Sequence, residues 1–179
     1  MKNFLKIAQN VNVTPLLLAI ARQPELWEQN TIRQDFDLSP HKQTKNILLR
    51  FNKITTFDEV VNDTMCENYP PMALLPEARP LVYGLMAQVQ GEQLGRALVV
   101  NLPKGCKVTP HVDMGAPATY YQRYHIVLQS KVGNVFRAGD EYIHMLPGEV
   151  WWFNNEVEHE VTNNSDDDRL HLIVDIRST

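Results

Sequence analysis

Tyr121-Gln122-Arg123-Tyr124-His125-Ile126-Val127-Leu128 and, further on, Arg169-Leu170-His171-Leu172-Ile173-Val174-Asp175-Ile176 decide how this chain folds. Both stretches alternate. In the first, Tyr124, Ile126 and Leu128 share one face while Arg123 and His125 share the other; in the second, Leu170, Leu172, Val174 and Ile176 oppose Arg169 and His171. A period of two residues is the signature of a strand whose two faces meet different surroundings. Around these two stretches the chain is cut into short runs by turn signals: Pro103-Lys104-Gly105, Gly115 with Pro117, Gly133-Asn134, Gly139-Asp140 and Pro147-Gly148. Strands are expected over 94–102, 107–113, 120–129, 135–137, 141–145, 150–153, 156–162 and 169–176. Many short strands separated by turns predict a sandwich or small barrel. The expected architecture is mainly β with N-terminal helices: one domain over 1–179, with a double-stranded β-helix (a cupin-like jelly roll) at 94–177 and helical and loop support at 1–93.

The earlier part of the chain reads differently. A short strand is expected at Phe4–Ala8. A helix follows from Pro15 to about Arg22, with Thr14 as its N-cap and Pro15 in its first turn. Pro24 restarts a helical segment through Trp27, Ile47–Phe51 reads as a strand, and Leu81–Gln90 as a helix stopped near Gly91. The stretch 52–80 is irregular and rich in proline near its end, as lids and binding loops often are.

Chemistry concentrates in the β half. His111-Val112-Asp113 puts an imidazole and a carboxylate on one side of a strand, and His159 lies in Glu158-His159-Glu160-Val161 after the aromatic run Trp151-Trp152-Phe153. Two histidines and one carboxylate on one face of an octahedron form the ligand set of non-haem Fe(II) oxygenases, because the remaining positions stay open for chemistry. His111, Asp113 and His159 are therefore the candidate metal ligands. Arg123, His125 and Arg169 face the interior of the expected barrel, where a cation is costly to bury without an anion. A 2-oxo dicarboxylate suits them: its oxo acid end chelates iron beside an O2 position, and its far carboxylate requires a fixed fork. Arg169 supplies that fork, and Arg123 with His125 orients the end near the metal. Arg50, Tyr120, Tyr121 and Trp151 are candidates for the substrate pocket, although aromatic residues on such strands are usually core. His41 and His144 read as surface or turn histidines.

Bulk properties bound the partners. The 179 residues carry a formal net charge of −4, and the pI is near 5.8, against a general electrostatic binder of nucleic acid. No apolar run approaches the ~20 residues that span a bilayer. Two cysteines, Cys66 and Cys106, are too few for a disulfide framework, which places the protein in a reducing, cytoplasmic setting.

Taken together, His111-Val112-Asp113, Arg123-Tyr124-His125, Gly148–Phe153, Glu158–Val161 and Arg169–Asp175 resemble the aspartyl/asparaginyl β-hydroxylase family of Fe(II)/2-oxoglutarate oxygenases. The carboxylate at Asp113 resembles the family's bacterial branch, which includes free-amino-acid hydroxylases such as proline hydroxylases. The resemblance implies a jelly roll with metal at His111, Asp113 and His159. It also implies 2-oxoglutarate on Arg169 with Arg123 and His125 near its metal-bound end, and O2 as the other cosubstrate. The reaction implied is hydroxylation of an unactivated C–H bond, with succinate and CO2 as coproducts, on an amino acid or an aspartyl- or asparaginyl-type side chain. Where animal members place a serine on the strand before the first histidine, Val100 stands here. The substrate is a small molecule or a peptide. Two other classes share the pattern: a cupin-like metalloenzyme that does not use 2-oxoglutarate, and a non-catalytic jelly-roll binding module.

Overall fold

Alternation and turn chemistry produce two facing sheets. The computed structural model describes residues 2–35, 37, 39–54, 56 and 61–178. The larger sheet is ordered β1 (Phe4–Ala8), β9 (Val150–Phe153), β6 (Gln122–Gln129), β11 (Arg169–Arg177), β4 (Gln93–Leu102), β2 (Lys45–Phe51) and β3 (Glu67–Asn68). The smaller is β5 (Lys107–His111), β10 (His159–Asn163), β7 (Asn134–Ala138) and β8 (Glu141–Ile143). All pairings recorded for these strands are antiparallel. This is the mainly β jelly roll that the alternation predicts.

The larger sheet has two chemically distinct faces. Its outer face carries Ile47, Leu49, Ala97, Val99, Tyr124, Ile126, Leu128, Leu172, Val174 and Ile176, which pack with Leu16, Ile20, Leu81, Val82 and Leu85 into the main core. Those last five residues come from the helices Thr14–Ala21 and Ala78–Gln88, whose buried sides are their apolar stripes. The inner face meets the smaller sheet through Phe4, Leu102, Val127, Phe136, Trp151, Phe153 and Val161. A third cluster, Leu48, Phe51, Leu98, Val100 and Ile173, closes one end. Val100 belongs to this apolar set.

Several boundaries differ from expectation for local reasons. The strand expected to run to residue 113 ends at His111, and 112–115 is loop. The strand expected from 120 begins at Gln122, because Ala116–Tyr120 forms a short helix with Pro117 in its first turn, where the missing N–H has no intrahelical partner to lose. The first helix is capped by Val13 rather than Thr14, and the side chain of Asn12 accepts the Thr14 N–H at 3.2 Å. The expected boundary at residue 93 is not a physical one, since β1, β2 and β3 are strands of the larger sheet. Part of the candidate lid at 52–80, residues 55 and 57–60, lies outside the described residues.

Candidate metal centre

Antiparallel register assembles the site. His111 at the end of β5 and His159 at the start of β10 are direct cross-strand partners, and their rings lie 4.3 Å apart, centroid to centroid. Each ring is fixed by the same device. His111 Nδ1 lies 2.7 Å from the Thr109 carbonyl oxygen, and His159 Nδ1 lies 2.9 Å from that of Val157. A carbonyl only accepts, so each Nδ1 carries the proton and each Nε2 presents a lone pair. Donation of the second ring nitrogen to a backbone carbonyl is how metal-binding histidines are oriented. His111 Nε2 is buried and has no hydrogen-bond partner, as a ligand atom held ready for a cation would be.

Asp113 completes the group from the loop after β5. Its Oδ1 lies 3.5 Å from His111 Nε2 and 3.8 Å from His159 Nε2, while its Oδ2 accepts from Arg123. One oxygen is thereby held by the protein and the other faces the two lone pairs. The three ligand atoms lie within 4.8 Å of one another, a spacing that a single ion can bridge. Burial alone would raise the Asp113 carboxyl, but the Arg123 guanidinium and the His111 contact hold it well below the usual carboxylate range. Burial pushes the His159 imidazole down to about 4, against the pull of Asp113. Protons therefore compete for this ligand only in distinctly acidic solution.

Arg123 is placed differently from the sequence reading. Its Nε and Nη2 donate to Asp175 Oδ1 and Oδ2 at 2.8 and 2.9 Å, and Nη1 donates to Asp113. Asp175 on β11 is its direct cross-strand partner. With both edges of the fork engaged by carboxylates, Arg123 orients Asp113.

Deeper in the barrel, Arg169 is 4% exposed, and burial pulls its guanidinium down to about 9. Among the described residues no carboxylate pairs with it. Its Nη2 lies 3.1 Å from His171 Nδ1, and His125 Nδ1 lies 3.1 Å from that same atom. An arginine can only donate, so His171 Nδ1 is an acceptor and the neutral ring carries its proton on Nε2. That Nε2–H is buried without a partner. A buried guanidinium with no carboxylate partner among the described residues and a buried imidazole N–H with no acceptor fit an anion. Phe136 and Phe153 separate this group from the triad: the Arg169 guanidinium lies 5.8 Å from the Phe136 ring centroid, and the Phe153 ring lies 4.9 Å from that of His159.

A cavity of about 450 Å³ opens on His111 and Asp113 and is also lined by Arg33, Pro40, His41, Phe51, Arg96, Leu98, Met114, Arg123 and Ile173. The four pocket candidates from sequence are not in this lining. Arg50 donates to Asn68 Oδ1 at 2.9 Å, because a bulge between Leu48 and Arg50 turns Phe51 inward in its place. Tyr121 and Trp151 are core, and Tyr120 lies under the Arg177 guanidinium. His41, expected at the surface or in a turn, lies in a turn and packs its ring edge-on to His111 at 5.2 Å. His144 does sit in a connecting segment, its Nδ1 2.9 Å from the Asn134 carbonyl. Arg96 had a readable signal, a lone cation within an apolar strand; Arg33 and His41 had none, since the sequence around the short helix Ile32–Asp35 and the turn at His41 shows no periodicity.

A family model for aspartyl/asparaginyl beta-hydroxylases matches residues 60–179. The chain belongs to that family. Among curated proteins, L-proline cis-3-hydroxylase 1 of Streptomyces sp is 26% identical over 149 residues, 82% of this chain and 51% of that protein. L-proline cis-4-hydroxylase of Rhizobium meliloti (strain 1021) is 28% identical over 81 residues, 45% of this chain and 29% of that protein. The family's chain here thus spans about half or less of the length of these curated relatives. Among solved structures, a Pseudomonas putida prolyl-4-hydroxylase shares the fold with a TM-score of 0.54 at 17% identity, over 100% of this chain and 94% of that one. No helix among the described residues is long and apolar enough to cross a membrane.

Proposed function

We propose that this protein is an Fe(II)- and 2-oxoglutarate-dependent dioxygenase that hydroxylates an unactivated C–H bond of an amino acid or of an aspartyl- or asparaginyl-type side chain, with succinate and CO2 as coproducts. The observation that carries the reading is the convergence of two tautomer-fixed Nε2 lone pairs and one free carboxylate oxygen within 4.8 Å. Family membership and the similarity to proline hydroxylases support it.

His111, Asp113 and His159 hold the metal. Fe(II), when bound there, supplies activation of O2 coupled to the decarboxylation of 2-oxoglutarate. The remaining work belongs to the protein. Arg169 and the His171 Nε2–H take the far carboxylate of 2-oxoglutarate, and His125 shares the His171 Nδ1 acceptor and so fixes that ring. Arg123 keeps Asp113 ionised and aimed. Phe136 and Phe153 exclude water between the two ends of the cosubstrate site. The substrate, a small molecule or a peptide, enters by the cavity that His111 and Asp113 share with Arg33 and Arg96.

Anaerobic titration of the metal-free protein with Fe(II) and then 2-oxoglutarate tests this directly through the visible charge-transfer band of a chelated oxo acid. The band is expected in the native protein. In His159→Ala it is absent, and in Arg169→Ala it appears only at much higher 2-oxoglutarate. A protein that binds iron with no band is a metalloenzyme of another kind, and one that binds neither is not an oxygenase.

A further inference from the structure

At the end of the barrel that holds Arg169, more buried polar atoms gather than Arg169 and His171 account for. Among the described residues Ser130 Oγ and His144 Nε2, like His171 Nε2, are buried without a hydrogen-bond partner, a condition that favours a ligand able to meet them. Ser130 is 7% exposed and follows Gln129, the cross-strand partner of Leu170, so the antiparallel register continues with Ser130 beside Arg169. His144 follows β8 and lies close enough to His171 for a charge on one ring to oppose a charge on the other. Its Nδ1 donates to the Asn134 carbonyl at 2.9 Å, so its Nε2 presents a lone pair. Ser130 and His144 have a second neighbour. With Lys131, Leu146 and Asn164 they line a hollow that is open to solvent. Lys131 at its rim already pairs with Asp166 and Asp167, at 3.4 and 3.1 Å, so the hollow is not itself built around a waiting cation. Ser130 and His144 therefore stand between the Arg169 guanidinium on one side and open space on the other.

Resting on the oxygenase reading, we infer that Ser130 and His144 form the end-stop of the cosubstrate seat and set the length of 2-oxo diacid that the protein accepts. The Ser130 hydroxyl donates to the far carboxylate beside the Arg169 fork and the His171 Nε2–H. The His144 Nε2 lone pair opposes a carboxylate that reaches one methylene deeper, and behind that ring lies the hollow into which a longer chain would pass if the ring were cut back. Selectivity of this kind combines an attractive contact to one ligand with a repulsive element against its homologue.

The test uses the full chain loaded anaerobically with Fe(II) and titrated with 2-oxoglutarate or with 2-oxoadipate, its homologue with one more methylene, so that binding is read without turnover through the visible charge-transfer band and the melting temperature. The native protein is expected to bind 2-oxoglutarate at least about 10-fold more tightly than 2-oxoadipate. Ser130→Ala weakens 2-oxoglutarate about 10-fold, and Ser130→Thr, which keeps the hydroxyl, weakens it much less. His144→Asn keeps an N–H for the Asn134 carbonyl but removes the Nε2 edge, and it is expected to bind 2-oxoadipate about 10-fold more tightly than the native protein does, a gain that misfolding cannot produce. Fe(II) alone raises the melting temperature of each variant as it does that of the native protein. Equal native affinity for the two acids, native 2-oxoglutarate affinity in Ser130→Ala, or no gain of 2-oxoadipate in His144→Asn overturns the inference while leaving the oxygenase reading intact. Absence of the band with 2-oxoglutarate in the native protein overturns both.

Discussion

At the scale of single residues, the site is a set of constraints on which atom carries a proton. Backbone carbonyls two residues upstream fix His111 and His159 in one tautomer, and Arg123 assigns the two Asp113 oxygens different tasks. Asp175 matters through Arg123. It is 1% exposed and supplies both acceptors for one edge of the fork. Asp175→Asn leaves a buried guanidinium short of one charge, and breaking such a pair on one side typically destabilises by about 3–5 kcal/mol. The expected outcome is a matching loss of stability in urea denaturation of the metal-free protein, together with weaker metal binding as Asp113 loses its support. Unchanged stability would show that Asp113 alone satisfies Arg123. Sequence alternation identified Arg123, His125 and Arg169 as inward-facing, but it could not say whose carboxylate each would meet. That depends on Asp175 lying opposite Arg123 across β6 and β11, and on no carboxylate among the described residues pairing with Arg169.

At the scale of elements, small irregularities decide which side chains reach the cavity. The bulge in β2 exchanges Arg50 for Phe51 at its wall. The end of β5 at His111 frees the next residues to turn, and Gly115 makes the turn with φ +89. A Cβ there would stand 2.3 Å from the Val61 carbonyl oxygen, so the chain at residue 61 is seated directly on this glycine. Gly115→Ala adds left-handed strain of about 1–2 kcal/mol to a backbone clash. It should lower the melting temperature and displace residue 61 from the cavity wall, which is checked by faster proteolysis in the 52–65 stretch. Central β11 is the opposite case, a strand buried throughout except its last residue. Leu172 is fully buried in the main core, so Leu172→Ala should cost about 2–5 kcal/mol in chemical denaturation.

At the scale of the whole molecule, a barrel with a polar interior is sensitive to acid. Burial holds His125 and His171 well below the ordinary value of 6.5, and His159 near 4. The unfolded chain takes up these protons first. Stability is therefore greatest above pH 6.5 and falls as the pH drops toward 4, by about 1.4 kcal/mol per pH unit for each imidazole that stays neutral in the fold. Urea midpoints of the metal-free protein at pH 7.5, 6, 5 and 4 should decrease steadily; a flat profile would mean that the imidazoles titrate alike in both states. Ligands act in the other direction. Fe(II) at about 100 times its dissociation constant should add about 2.7 kcal/mol and raise the melting temperature by about 5–10 °C under anaerobic scanning, and 2-oxoglutarate at the same saturation should add a similar amount. His111→Ala should abolish the part of that rise due to metal.

The sequence alone determined the jelly roll, the inward face of β6 and β11, and the three candidate ligands, because alternation is local and a strand's face is set by every second residue. It also carried the family resemblance, since those motifs are contiguous. The tertiary structure decided what no local pattern contains: the pairing of His111 opposite His159, the engagement of Arg123 by Asp113 and Asp175, and the isolation of Arg169. It alone brought Arg33 and His41 to the cavity from a stretch whose sequence shows no periodicity. These are contacts between residues far apart in the chain, fixed by register and by how the loops close over the barrel. Charge and burial act on such neighbours in space, and their order along the chain does not report them.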